Sequence, residues 1–257
     1  MSAPRTWLAL LIGVVVIVRA VPSAAAAPPR TMDPNAVRIV RSAADYLKQK
    51  QSYAFTADVI FDDVQPPDFK IQQHAIAQYT MQRPDKLRVN YVGDRRQVGF
   101  YIDGKNFTLY DQTANVYGVL PAGPDVESTL DTIFNKYDFS PPLTELLAND
   151  PYAKFSGAVQ SGWYVGKSTV RGYSTHHLVF VQQNIDWQIW VDDGQAPLIR
   201  EIEITYKTLP GQPEYDATFT DWSFGTANSS VFTFVPPKNA ALIDFVTAKA
   251  ASAGQVK

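Results

Sequence analysis

Cysteine is absent from this 257-residue sequence, which excludes disulfides and thiolate metal sites. An excess of one charge is also missing, because 23 basic and 25 acidic side chains give a formal net charge of -2. A nucleic-acid-binding protein usually has a clear excess of clustered Lys and Arg, which this sequence does not have. The sequence contains no G-x-S-x-G elbow and no complete phosphate-binding loop. We therefore expect no enzyme, no catalytic residue, no cofactor and no nucleic-acid partner.

The longest apolar run lies near the N-terminus. Leu8–Val18 follows a positively charged start, is closed by Arg19 and precedes an A-x-A pattern at Ala24–Ala26. This arrangement is typical of a secretory signal peptide, and the run is shorter than the roughly 20 residues of a membrane-spanning helix. We predict that residues 1–27 are a cleaved signal peptide and that residues 28–257 form a single domain. The alternative is an uncleaved anchor.

The missing cysteine also bears on the location of the exported chain. An N-terminal lipid anchor needs a lipobox cysteine, which the sequence does not have. We therefore expect a soluble periplasmic protein that does not span the membrane after the signal is removed. Its 46% hydrophobic content is enough for a sizeable core that needs no disulfide bonds.

Apolar and polar side chains alternate with a period of two along most of the mature chain, which predicts strands. Tight turns such as Asp103-Gly104 favour hairpins, so neighbouring strands should pair antiparallel. The predicted strands are, approximately, Ser52–Asp62, Ile71–Met81, Lys86–Val92, Arg95–Ile102, Lys105–Tyr110, Val116–Leu120, Val159–Gly166, Tyr173–Gln183, Trp187–Val191, Ile199–Thr208 and Tyr215–Phe224.

Three segments have helical periodicity instead. Asp33-Pro34 provides an N-cap and a first-turn proline for a helix over about Pro34–Gln49. A second helix is predicted around Val126–Tyr137, and a short third one around Leu143–Leu147. The fold class is therefore α+β and mainly β, with an antiparallel sheet of ten or eleven strands that is curled around or covered by about three helices.

Two groups of chemically active side chains are more easily explained by the sheet. His176 and His177 are adjacent in a predicted strand, so they point to opposite faces and cannot readily bind one metal. Glu201 and Glu203 lie at a spacing that glycoside hydrolysis could use, but their alternation with isoleucines predicts a polar outer face. We predict no metal site.

Several motifs resemble an uncharacterised family of periplasmic proteins, the domain of unknown function 2092. They are Tyr101–Asp111, Asp150–Tyr152, Asp186–Trp190 and Phe232–Pro237. More distantly, the C-terminal half is similar to the outer-membrane lipoprotein carrier LolA and its relatives. That similarity follows the order Trp190–Asp192, Pro197–Leu198, Ile202–Ile204, Phe219 and Phe232–Pro236.

The resemblance implies a LolA-like half-open antiparallel barrel closed by helices. In the carrier and its receptor LolB the concave face binds acyl chains of lipoproteins, and in the related regulator RseB it receives stress signals. We predict a non-enzymatic binding protein for a lipid or an acylated lipoprotein, with the helices from Pro34 and from Val126 to Leu147 as a lid. The predicted ligand-binding residues are Phe55, Val59, Tyr91, Phe100, Leu109, Trp190, Ile202, Ile204 and Tyr206, each of which could equally be core.

Two alternatives remain open at this stage. The protein could be a sensor or scaffold that binds an envelope protein through the sheet edge or face, with its cavity filled. An enzyme would require a converging polar cluster inside the cavity, which no sequence motif indicates.

Overall fold

The computed structural model describes residues 31–137, 139 and 141–245. The predicted signal peptide, residues 1–27, lies outside the described residues. The helices are α1 (Pro34–Lys48), α2 (Val126–Tyr137) and α3 (Pro151–Ser156), with single 3-10 turns at Thr144–Leu147 and Ser229–Phe232. The strands are β1 (Ser52–Gln65), β2 (Phe69–Gln82), β3 (Lys86–Gly93), β4 (Gln97–Asp103), β5 (Asn106–Asp111), β6 (Val116–Pro121), β7 (Ser161–Val170), β8 (Tyr173–Val181), β9 (Ile185–Asp192), β10 (Ile199–Tyr206), β11 (Glu214–Ser223) and β12 (Ala241–Leu242).

All the strands of the described residues belong to one curled sheet. Its order is β12-β6-β5-β4-β3-β2-β1-β11-β10-β9-β8-β7. Two meanders, β1 to β6 and β7 to β11, are joined where β1 pairs with β11, and only the short β12 runs parallel to its neighbour. Because β12 and β7 lie at opposite edges, the sheet stays open. The predicted half-open antiparallel architecture with covering helices is confirmed.

Helix α1 forms where the sequence predicts it. The Asp33 side chain accepts a hydrogen bond from Asn35 N at 2.8 Å, and Pro34 occupies the first turn. The second Asp33 oxygen accepts from Tyr164 N of β7, which fixes the helix start to the sheet. The apolar side of α1 packs on β7, β8 and β9. The buried residues of α1 are Ala36, Ile39, Val40, Ala43, Ala44 and Leu47.

We call the side of the sheet that packs against the helices the inner face, and the opposite side the outer face. Tyr53 and Tyr79 lie on the inner face, and their hydroxyls donate to Leu146 O at 2.6 Å and to Pro142 O at 2.8 Å. The core lies between this face and the helices. Its largest fully buried side chains include Tyr53, Phe55, Tyr79, Phe107, Phe180 and Phe219.

Three details differ from the sequence prediction. The predicted short helix at Leu143–Leu147 is a single 3-10 turn, and the true third helix is α3, which was missed. Its signal was available, because Asp150-Pro151 repeats the cap and proline of α1, and the Asp150 side chain accepts from Ala153 N. Strand β12 was also missed, since two residues carry no periodicity. None of the described helices is long and apolar enough to cross a membrane.

Candidate functional site

A cavity of about 130 Å³ lies between the inner face of β9 and β10 and the segment over residues 141–156, which we call the cover segment. Small-molecule sites usually enclose about 300–1,000 Å³, so a long ligand would have to displace part of the cover segment. The walls are mainly apolar. They comprise Leu143, Leu146 and Phe155 of the cover segment and Ile185, Trp187, Ile202 and Ile204 of the sheet, with Glu145, Lys154 and Gln182 as polar neighbours.

The strand register places three of the inner-face side chains in one row. Ile204 of β10 is the direct partner of Trp187 on β9 and of Tyr215 on β11. The row continues to Phe61 of β1, which pairs with Tyr215. Direct partners in an antiparallel sheet point to the same face with neighbouring Cβ atoms, so these side chains form one continuous surface.

Trp187 is the most enclosed member of this row. Its ring stacks on Phe180 with centroids 4.2 Å apart and on Phe155 of the cover segment at 5.7 Å. The residue is 4% exposed, and its Nε1 has no hydrogen-bond partner among the described residues. A buried N–H without an acceptor is costly, so this donor requires an explanation.

Tyr215 presents a second such donor on the other side of Ile204. Its hydroxyl oxygen is buried and lacks a partner within the described part of the chain. Burial is the main reason that the pKa of Tyr215 is well above its usual value, and the nearby tyrosines Tyr79, Tyr206 and Tyr91 and the carboxylate of Glu145 raise it further. The hydroxyl is therefore a neutral hydrogen-bond donor at physiological pH.

The cover segment is attached to the sheet by side chains and contains one strained residue. Arg83 Nη2 donates to Ala148 O at 2.9 Å, beside the two tyrosine hydroxyl bonds described above. Leu143, which lines the cavity, has a φ of 61° in the left-handed region. Non-glycine residues held there cost on the order of 1–3 kcal/mol and often mark functional segments.

The charged groups around the cavity leave a surplus of negative charge. Lys154 Nζ lies 3.0 Å from Glu127 and 3.2 Å from Asp131, so one ammonium faces two carboxylates. Glu145 adds a third carboxylate at the cavity rim. Its charge contributes, after burial, to the raised pKa of Tyr206. The rim therefore disfavours an anion.

Beyond the cover segment the inner face is partly exposed toward the loops that join β1 to β2 and β10 to β11. Phe61, Tyr91, Ile204 and Tyr215 are half-buried there and continue the apolar surface of the cavity. A wider depression of about 620 Å³ lies at the same end, lined by residues 61–68 together with Arg95, Leu209, Pro210 and Pro213. The inner face is thus enclosed at the cover segment and open at these loops.

The predicted ligand-binding residues fall into separate groups. Phe55, Val59 and Phe100 are buried in the core. Ile202 and Ile204 line the cavity beneath the cover segment. Tyr206 lies on the same face of β10, two residues beyond Ile204, and is the direct partner of Ile185. Of the remaining three, Tyr91 and Leu109 line separate depressions. Tyr91 borders one of about 220 Å³ with Arg95 and Arg96, and Leu109 borders one of about 60 Å³ with Phe245.

The placement of Trp190 on the concave face is wrong. Its direct partners are Glu201 of β10 and His177 of β8, which lie on the outer face. The Trp190 ring stacks on His177 with centroids 4.3 Å apart. Strand β9 carries Trp187 on the inner face, and three residues along an alternating strand lead to the opposite face. The alternation of Trp187 and Ile189 was the signal that would have identified Trp187.

The outer face of the same strands carries the predicted polar side chains. Gln188 links His177, at 2.7 Å, to Glu203, to which it donates at 2.9 Å. Glu201 and Asp216 lie beside Glu203 on this face. Burial and the neighbouring carboxylates raise the pKa of Asp216 to about 7. Among the described residues no group of three or more histidine and acidic side chains could hold a metal ion.

Structural comparison finds chains with a similar path at low sequence identity. An uncharacterised conserved protein from Thermus thermophilus is 11% identical, with 82% of this chain and 99% of that chain covered and a TM-score of 0.48. The lipoprotein LppX of Mycobacterium tuberculosis is 13% identical, with 77% and 99% covered and a TM-score of 0.42. A LolA superfamily protein from Nitrosomonas europaea is 8% identical, with 77% and 97% covered and a TM-score of 0.35.

Comparison by sequence identifies a family. The search of curated proteins found no match. The profile of one family, described as predicted periplasmic protein (DUF2092), matches residues 36–246. This description agrees with the periplasmic location predicted from the N-terminal segment, and the match confirms the family resemblance of the motifs. The chain therefore belongs to the DUF2092 family of predicted periplasmic proteins.

Proposed function

We propose that this protein is a non-enzymatic binding protein that holds a hydrophobic ligand, a lipid or the acyl chains of a lipoprotein, on the inner face of its sheet. The observation that carries the proposal is the apolar cavity beneath the cover segment, which continues into the half-buried surface of Phe61, Ile204 and Tyr215. Burial of acyl carbons at about 0.8 kcal/mol per CH₂ would supply most of the affinity.

The cover segment would act as the lid. The cavity is too small for a whole acyl chain, so the ligand would enter from the open loops and displace Leu143, Leu146 and Phe155 from the sheet. The sheet holds the part of the cover segment that lines the cavity through side-chain bonds from Tyr53, Tyr79 and Arg83. The rest of the segment is bound to α1 through Lys48–Asp150 and to α2 through Glu127, so the movement we propose is confined to residues 141–148 and Phe155. The apolar side chains that close the empty cavity would then contact the ligand.

The first test is native mass spectrometry of the mature protein purified from its own periplasm, followed by organic extraction and lipid analysis. A bound lipid near one per protein would support the proposal and identify its chemical class. A protein mass without ligand, together with failure to take up a fluorescent acyl probe, would contradict it.

A cavity-filling variant separates the proposed site from nonspecific binding. Ile202→Phe adds volume directly beneath the cover segment, and we expect at least tenfold weaker binding of the acyl probe with little loss of fold. Ile76→Phe makes the same change on the outer face, where Ile76 is 49% exposed. Equal binding by both variants would place the ligand elsewhere.

Binding of an envelope protein is the second candidate. Ile60, Ile76 and Val92 are exposed on the outer face of β1, β2 and β3, and Ile76 and Val92 are direct partners. Adjacent exposed aliphatic side chains are more common at interaction surfaces than elsewhere. If the purified protein carries no lipid but pulls down an envelope protein, and Ile76→Lys abolishes that capture, this candidate replaces the first.

A further inference from the structure

The row Trp187, Ile204 and Tyr215 combines an apolar surface with two hydrogen-bond donors. Both donors are buried, and neither has an acceptor among the described residues. They lie on β9 and β11, on either side of β10, because Ile204 is the direct partner of both residues. Trp187 lines the cavity directly, whereas Tyr215 lies next to the wall residue Ile204. Buried donors in and beside the cavity wall suit a ligand with hydrogen-bond acceptors rather than a pure hydrocarbon.

The surrounding charges restrict which acceptor is suitable. The Lys154 ammonium is shared by Glu127 and Asp131, and Glu145 lies at the rim with no ion pair among the described residues. A carboxylate beneath the cover segment would therefore meet a negative field, because the arginines of the inner face, Arg95 and Arg96, border the separate depression at the open end. An uncharged carbonyl oxygen would accept the same hydrogen bonds without that repulsion.

We propose that the ligand is an uncharged acyl ester or amide whose carbonyl oxygen accepts from Trp187 Nε1, from Tyr215 Oη, or from both. This inference rests on the proposed hydrophobic binding function and specifies its ligand class. Trp187 and Tyr215 would select acyl carbonyl compounds, while Ile202, Ile204 and the cover segment would contact the chain.

The test compares three ligands of equal chain length, methyl laurate, laurate and dodecane, on the mature protein at pH 8. Affinities are measured by competition with a fluorescent acyl probe. We expect methyl laurate to bind about 3- to 10-fold more tightly than either of the others, which corresponds to one additional hydrogen bond. In a ¹⁵N-tryptophan spectrum the Trp187 indole N–H signal should shift downfield with methyl laurate and not with dodecane.

Two variants test the residues themselves. Trp187→Phe and Tyr215→Phe remove the donors and keep aromatic rings, so each should reduce the preference for methyl laurate over dodecane while dodecane still binds. Trp190→Phe and Tyr173→Phe, on the outer face, are the matched controls and should leave the preference unchanged. The Trp187 indole signal is assigned by its loss in Trp187→Phe, and its shift on ligand binding is then measured in the unmodified protein.

The outcomes distinguish the inference from the function on which it rests. If dodecane or laurate binds as tightly as methyl laurate, the inference is overturned and the hydrophobic binding function stands. If none of the three ligands nor the probe binds, the binding function itself is overturned. Selective methyl laurate binding without a change in the Trp187 signal or in either variant would also refute the assigned donors.

Discussion

The two ends of the sheet close their inner faces differently. At β4 to β6 the chain's own C-terminal segment, residues 229–245, crosses the sheet edge and fills both faces; we call it the C-terminal strap. At β9 to β11 the inner face is closed by the cover segment, inserted between β6 and β7, and space remains beneath it.

The strap packs aromatic rings on both faces of the sheet. On the outer face Phe234 lies 5.1 to 5.2 Å from the rings of Tyr101, Tyr110 and Tyr117. The chain then pairs with β6 through β12, and Phe245 returns to the inner face beside Phe107. Its fit depends on glycine in β6, because a Cβ at Gly118 would lie 2.5 Å from the Phe245 ring.

The cavity end has no such matching insertion in the described part of the chain. Its inner face is covered by Leu143, Leu146 and Phe155, which leave two buried donors without acceptors. Its outer face carries the carboxylates of Glu201, Glu203 and Asp216 beside the stacked rings of Trp190 and His177. We therefore expect the strapped end to contribute stability and the cavity end to keep the surface on which the proposed ligand would bind.

Removing a ring from the centre of the sheet should have the largest effect on stability. Phe55 of β1 lies 4.6 Å from the Tyr79 ring and 4.7 Å from the Trp222 ring, and it is almost fully buried. We expect Phe55→Ala to lower the free energy of unfolding by about 3–5 kcal/mol. Urea denaturation would measure this loss. A change below about 1 kcal/mol would show that Phe55 is not core and would restore it as a ligand residue.

Removing the Phe245 ring should leave an open space on the inner face of the strapped end, similar to the cavity beneath the cover segment. Phe245→Ala removes a half-buried ring from contact with Phe107, Tyr137 and Phe139. We expect a loss of about 1–3 kcal/mol, below the full range for buried phenylalanine because this ring is partly exposed. An acyl probe should gain a second binding site, seen as increased stoichiometry. Unchanged stoichiometry would mean that the strap collapses into the space.

Loosening the cover segment should change ligand exchange more than stability. Tyr53→Phe removes the hydroxyl that donates to Leu146 O and leaves that buried carbonyl without its 2.6 Å bond. The expected cost is about 1–2 kcal/mol in the free energy of unfolding. Stopped-flow probe fluorescence should show faster association and dissociation. Tyr110→Phe, at the strapped end, is the control and should leave these rates unchanged.

A pH dependence of stability should also come from the cavity end. The Asp216 carboxyl has a pKa of 3.8 in its ordinary state and of about 7 in the folded protein, because burial, Glu201 and Glu203 outweigh the opposing charge of Arg171. Between these values the folded state binds more protons than the unfolded state, so stability falls as pH rises.

Thermal melts between pH 5 and pH 8 would detect this slope. Asp216→Asn should flatten it, while Asp68→Asn, an exposed position, should leave it intact. If the stability of Asp216→Asn still falls as pH rises, another titrating group is responsible for the pH dependence.

Much of this protein is determined by its sequence. The cap at Asp33-Pro34, the turn residues and the period-two alternation are local signals, and they predict α1, eleven of the strands and the antiparallel pairing. The same alternation assigns Glu201 and Glu203 to the outer face, because a strand side chain follows its neighbours whatever the strand packs against.

The tertiary structure decides which inner-face side chains are core and which line a cavity. Phe55 and Ile204 have the same local pattern, yet one is enclosed by aromatic rings and the other by a cover segment that is distant along the chain. The strap, the small cavity and the donors of Trp187 and Tyr215 likewise arise where distant segments meet. Packing between distant segments leaves no periodic signal in either one, so only the folded chain shows where space and unpaired donors remain.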